Sequence, residues 1–201
     1  FHETIKKVKE FQKQINLEKD FKWVADSALY SKEHLLKAND YLWLSRVPET
    51  IKEAQDLVEM GGEKIKWEEH DKGYKTACFK SNYGEIEQRW LLVFSEQAYH
   101  REKKTLEKKL AKQEELLKKA LWHMSNESFA CESDARKSFK SIEKKYPLFQ
   151  LDEKVVPIEK RGKIGRPKIG EEKIISGYQI IVSYNRDENK IDQLLQRKGR
   201  F

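Results

Sequence analysis

The chain has 201 residues, 38% hydrophobic and 37% charged, with 41 Lys plus Arg against 34 Asp plus Glu and a formal net charge of +7. No apolar run approaches the roughly 20 residues that cross a bilayer, and no secretory signal opens the chain, which sets aside a helical membrane protein. Two cysteines without metal-ligand spacing, Cys78 and Cys131, set aside a disulfide scaffold and a zinc module and fit a reducing cytoplasm, while the basic balance points to a polyanion, nucleic acid first.

In chain order, Ile5, Val8, Phe11 and Ile15 recur at helical spacing, so residues 2–15 are expected to form an amphipathic helix that packs on a sheet. Residues 17–20 connect it to Trp23-Val24-Ala25, an apolar run that suits a strand covered on both faces. Asp26 falls where that strand stops. Ser31 is placed to cap a short helix with His34 in its first turn. His34 reads as solvent-facing, with a supporting place behind Asp26 as the alternative. Tyr41-Leu42-Trp43-Leu44 is the next buried strand, and strand, helix, strand over this length argues for parallel pairing. Pro48-Glu49-Thr50 opens a further helix with Ile51, Ala54, Leu57 and Val58 on its apolar face, and Gly61-Gly62 stops it.

From Glu63 the character changes. Residues 74–79 and 86–94 read as the strands of a hairpin, joined by Ser81-Asn82-Tyr83-Gly84. Residues 97–124 read as one charged helix, about 40 Å long at 1.5 Å per residue. Its stripe is Leu106, Leu110, Leu117, Leu121 and Met124, and Gln113 interrupts any coiled-coil seam. Residues 133–145 form a second helix, ended by Pro147, and two such helices in series most simply make an antiparallel hairpin. Residues 148–158 are extended and broken at Pro157, residues 160–168 are a basic loop, residues 174–184 a strand, and residues 187–196 a short helix. Phe201 reads as the opening of another strand.

Four stretches are informative in their order: Val24-Ala25-Asp26-Ser27-Ala28-Leu29-Tyr30-Ser31, Leu44-Ser45-Arg46-Val47-Pro48-Glu49-Thr50, Tyr83-Gly84-Glu85-Ile86-Glu87-Gln88-Arg89-Trp90-Leu91-Leu92-Val93, and Gly165-Arg166-Pro167-Lys168. Together they resemble the DDE transposases of bacterial insertion sequences, in the branch with a long insertion before the final catalytic Glu. The resemblance implies an α/β plus α+β fold. Residues 1–61 would be part of a ribonuclease H-like catalytic core, and residues 62–201 an insertion domain with a β-hairpin, a long helix pair and further strands. The strand ending at Asp26 would be the fourth of the core and residues 41–47 the fifth. The resemblance also implies metal-dependent DNA cleavage and strand transfer with Mg²⁺ or Mn²⁺. Transposon ends and target DNA would be the partners, the synaptic complex a homodimer, and the setting the bacterial cytoplasm at the nucleoid. Starting at Phe1 and ending after a basic run, the sequence reads as an internal piece. The family's first Asp would precede it and the Glu would follow it, so the piece alone is expected to be inactive.

By that resemblance Asp26 is the second of three metal-binding carboxylates. The carboxyl end of a strand in an open α/β sheet is where ligands collect, and carboxylate oxygens suit a divalent cation. Asp is equally common as a turn or cap residue, and both readings stand here. Glu49 and Glu53 match no part of the triad, and no nucleophile–base pair, phosphate-binding glycine loop or zinc motif is present. For DNA contacts, Lys160, Arg161, Lys163, Arg166 and Lys168 crowd one loop without an acid. Gly165-Arg166-Pro167 resembles an AT-hook, in which an extended Arg enters a narrow minor groove; a flexible solvated loop is the other reading. Arg46 stands just past a core strand, placed either to reach a phosphate or to pair with a local acid. The Lys-rich faces of residues 97–119 are interleaved with Glu and read as a solvated helix surface. Beside the transposase reading stand a non-catalytic DNA-binding or oligomerisation module and a degenerate transposase remnant.

Overall fold

A computed structural model describes residues 2–16, 21–38, 40–161 and 173–201. Helices and three small sheets alternate along the chain in an α+β arrangement. The chain divides into two compact units, Phe1–His100 with Gln196–Phe201, and Arg101–Leu195. Among the described residues, no helix is long and apolar enough to cross a membrane. The connection expected at residues 17–20 lies outside the described residues.

In the first unit, α1 (His2–Gln14) uses only part of its apolar stripe. Ile5 is fully buried, whereas Phe11 and Ile15 are exposed. The Lys9 amine lies 4.2 Å from the centre of the Tyr41 ring. Strands β1 (Trp23–Ala25) and β2 (Trp43–Ser45) pair in parallel, with Trp23 opposite Trp43, Val24 opposite Leu44 and Ala25 opposite Ser45. Helix α2 (Lys32–Ala38) makes the crossover, and the Ser31 hydroxyl accepts from the His34 amide as the expected cap. The expectation that this pair is covered on both faces does not hold. The period of two turns Ala25 and Trp43 toward a core of Leu29, Tyr30, Leu35, Ala38, Ile86 and Trp90. It turns Val24 and Leu44 the other way, 77% and 66% exposed. Helix α3 (Lys52–Glu59) starts later than Pro48 because residues 49–50 make a turn first, and Ala54 and Leu57 pack on the same core.

The hairpin is β4 (Tyr74–Ser81) and β5 (Gln88–Ser95), antiparallel with Cys78 opposite Leu91. Strand β3 (Glu68–His70) adds to the free edge of β4. Three polar, exposed residues give no apolar alternation, and nothing in their pattern announces a strand. On the far edge of β5, residues 199–201 return. The amide of Val93 donates to the Phe201 carbonyl at 2.8 Å and the Phe201 amide donates back at 2.9 Å. The Arg200 guanidinium donates to the carbonyls of Val58, at 3.1 Å, and Met60, at 2.5 Å, closing the C-terminal turn of α3.

The second unit takes most of α4 (Glu96–Ser125). Leu117, Leu121 and Met124 of its stripe join Ala135 and Phe139 of α5 (Glu132–Lys145) over Phe149 and Ile180. Leu106 and Leu110 pack with Ile191 of α6 (Glu188–Gln196). The two long helices therefore meet through a shared core laid on a ribbon of β6 (Phe149–Arg161) and β7 (Lys173–Arg186). Pro157 does not break β6. It stands opposite Tyr178, whose amide and carbonyl both bond Phe129, each at 2.8 Å. That pair is a non-hydrogen-bonded one, so the ladder asks nothing of the missing proline N–H. The irregularity falls one residue later, between Ile158 and Glu159.

Candidate functional site

Asp26 leaves β1 with extended backbone at φ −75° and ψ 179°, and one turn of 3-10 helix follows over Ser27–Leu29. Its Oδ1 accepts from the Ala28 amide at 3.1 Å. Its carbonyl accepts from the Ser45 hydroxyl at 2.7 Å. Ser45 ends β2, so Asp26 sits at the carboxyl ends of both parallel strands with its side chain at the surface. The cap role expected as one of two readings is thus occupied. His34 Nδ1 lies 3.2 Å from the Ala28 carbonyl, which ties the exposed imidazole to the turn that Asp26 caps. Among the described residues no cluster of three or more His, Cys, Asp or Glu side chains is arranged to hold a metal ion. A two-ion centre needs several carboxylates, and the described residues bring no such set to Asp26.

Arg46 lies one residue past β2 and donates to Glu49 Oε1 at 3.0 Å, with both side chains more than two-thirds exposed. The local-acid reading is the one the geometry contains. An exposed pair of this kind is worth about 0–1 kcal/mol, too little to hold Arg46 from a nearby phosphate. Lys160 is exposed in β6 opposite Ile174, and Arg161 stands opposite Lys173 at the last rung of the ribbon. Lys163, Arg166 and Lys168 lie outside the described residues.

Sequence reading missed the buried polar cluster that follows Asp26. The Tyr30 hydroxyl donates to Gln88 Oε1. Trp90 Nε1 donates to the same oxygen at 3.2 Å, and Gln88 Nε2 donates to the Tyr83 carbonyl at 2.7 Å. The Tyr30 ring stacks on Tyr83, centres 5.8 Å apart, and meets Trp43 and Trp90 edge-on. Burial pushes the Tyr30 phenol up to about 12, so it stays a neutral donor. The available signal was the alternation Gln88, Trp90, Leu92, all buried on one side of β5. This cluster fixes the residue four places after Asp26 to a strand far along the chain.

Set against protein-family models, curated proteins and solved structures, the chain matches none.

Proposed function

We propose that the chain is a portion of a DDE transposase that cuts and joins DNA at the ends of an insertion sequence, and that Asp26 is its second metal-binding carboxylate. One observation carries the reading: a surface carboxylate at the carboxyl end of a parallel strand, with the neighbouring strand reached through a helix. The four-stretch resemblance supports it, and so does the mixed helix-and-strand region that follows β2. The finer assignment of a ribonuclease H-like core rests on the same two supports. In this reading Asp26 offers oxygen ligands to Mg²⁺ or Mn²⁺ together with carboxylates beyond this chain, and the Ser45–Asp26 bond and the Tyr30 cluster hold its backbone in place. The test is Asp26→Ala in the complete reading frame. Cleavage of transposon-end DNA in Mg²⁺ should vanish while DNA binding persists. Cleavage by the variant would leave Asp26 a cap and nothing more.

A second reading, a non-catalytic DNA-binding module, is favoured by the ribbon, which ends at Arg161 and Lys173 beside the basic stretch at residues 160–168. Replacing Lys160, Arg161, Lys163, Arg166 and Lys168 by Gln should reduce the salt slope of log K by up to about 0.9 for each phosphate no longer neutralised. An unchanged slope makes the stretch a passive linker.

A further inference from the structure

We infer that the outer face of α4 in the second unit is a docking surface for the phosphate backbone of duplex nucleic acid. The lysines and glutamates of this helix alternate in sequence but separate in space. Arg101, Lys108, Lys112 and Lys119 follow one another at intervals of seven, four and seven residues. At 3.6 residues per turn they fall within about 40° of one line along the helix. That line runs opposite the stripe of Leu106, Leu110, Leu117, Leu121 and Met124, all buried.

The acids of the helix stand mostly aside. Glu114 is turned toward the ribbon, where Arg186 donates to its Oε2 at 2.7 Å and Lys118 lies 3.2 Å from its Oε1. Glu102 is half-buried on the flank, and Glu115 alone borders the cationic line. Arg101, Lys108, Lys112 and Lys119 are all exposed, and among the described residues no carboxylate pairs with any of them.

The result is a row of cations from Arg101 to Lys119, 18 rises of about 1.5 Å or about 27 Å along the helix. A nucleic acid duplex presents one negative charge per about 1.7 Å of its axis. Counted over both strands, several phosphates fall within the length of the row, and the flexible lysine stems reach toward them without a fixed register. A bilayer is a poorer match, because an interfacial helix needs its apolar face free, and that of α4 lies in the core. No residue of the Asp26 site takes part, so the inference stands or falls apart from the transposase reading.

The test uses the 201-residue chain and a random-sequence DNA duplex. Lys108, Lys112 and Lys119 are changed together to Gln, and a control changes Lys6, Lys7 and Lys13 of α1, which removes the same net charge. The α4 variant should lower the magnitude of the salt slope by up to about 2.7, three phosphates at about 0.9 each, and weaken binding at 0.1 M salt by at least about tenfold. The α1 control should leave both nearly unchanged. Circular dichroism should show equal helix content in all three proteins, since these side chains are exposed and Gln is a good helix former. Equal losses in the two variants would reduce the effect to net charge and overturn the proposal. So would absence of binding at low salt, equal competition by polyglutamate, or preference for anionic vesicles over the duplex.

Discussion

Tyr30 and Gln88 meet in the core of the first unit, hydroxyl to side-chain carbonyl, across 58 residues of chain. The bond joins the turn after Asp26 to the start of β5. Tyr30→Phe should lower stability by about 0.5–1.5 kcal/mol, since Gln88 Oε1 keeps its bond from Trp90. Gln88→Leu should cost more, about 1–3 kcal/mol, because the Tyr30 hydroxyl then lies buried without an acceptor. Denaturant midpoints of the two variants decide the order, and the reverse order would mean that the Tyr30 hydroxyl finds another acceptor when Gln88 is replaced.

The same phenol gives a pH signature at the alkaline end. Its pKa rises from 10.0 to about 12 in the folded chain because burial penalises the phenolate. A raised folded pKa contributes stability that is fully present below the unfolded value and is lost as pH climbs toward the folded one. Wild type should therefore lose stability relative to Tyr30→Phe between about pH 10 and 12. Parallel melting-temperature curves for the two proteins over that range would assign the alkaline loss to other groups.

Asp26 is separable into its two roles by a graded pair of substitutions. Ser is a good cap but a poor metal ligand, whereas Ala is neither. In the complete reading frame Asp26→Ser should recover most of the stability that Asp26→Ala loses, about 0.5–2 kcal/mol for a cap. Both should be inactive in Mg²⁺-dependent cleavage. Activity that follows stability across the pair would identify the residue as structural.

Glu114 supplies an acid-side signature in the second unit. The Arg186 guanidinium, then the Lys118 ammonium, hold its carboxyl below the usual range. A depressed folded pKa contributes stability that is present above the unfolded value near 4.3 and is lost as pH falls through the folded one. Glu114→Gln should thus be less stable than wild type at pH 7, and the gap should shrink as pH drops below about 4. Urea melts at the two pH values measure it, and a constant gap would mean that Glu114 acts by packing rather than by charge.

Where a repeating pattern met a single requirement, the sequence was readable. The α4 stripe is one case, since five apolar residues at helical spacing are the five that are buried. The β4–β5 hairpin and the parallel β1–β2 pair are others, because short apolar runs between turn residues have few alternatives. Misreadings arose where the answer lay in a partner far along the chain. Pro157 reads as a break in the sequence, yet β6 runs through it because Tyr178 opposite bonds Phe129 instead of β6. Val24 looked buried because an apolar run says nothing of whether a second layer covers it, and 77% of it is exposed. At the candidate site, position was legible and surroundings were not. Asp26 stands at the strand end that its spacing indicated, but its bonds to Ala28 and Ser45, and the Tyr30–Gln88 anchor behind it, depend on folded geometry alone.

The return of residues 199–201 to β5 bears on how the protein is made. Gly199 has a φ of +72°, and a side chain there would meet the Ser95 carbonyl at 2.8 Å and the Tyr99 backbone at 2.9 Å. Residues 95–99 and 199 are therefore neighbours in the first unit, although 95 residues that form the second unit, Arg101–Leu195, are threaded between them. The second unit is one uninterrupted stretch and has every residue it needs before position 196 is synthesised. The first unit starts earlier and is complete only once residues 196–201 have been added, and until then the outer edge of β5 is unpaired on this side. An unpaired strand edge invites pairing with other chains, so deletion of residues 196–201 should both destabilise the first unit and promote its aggregation during synthesis, leaving the second unit folded.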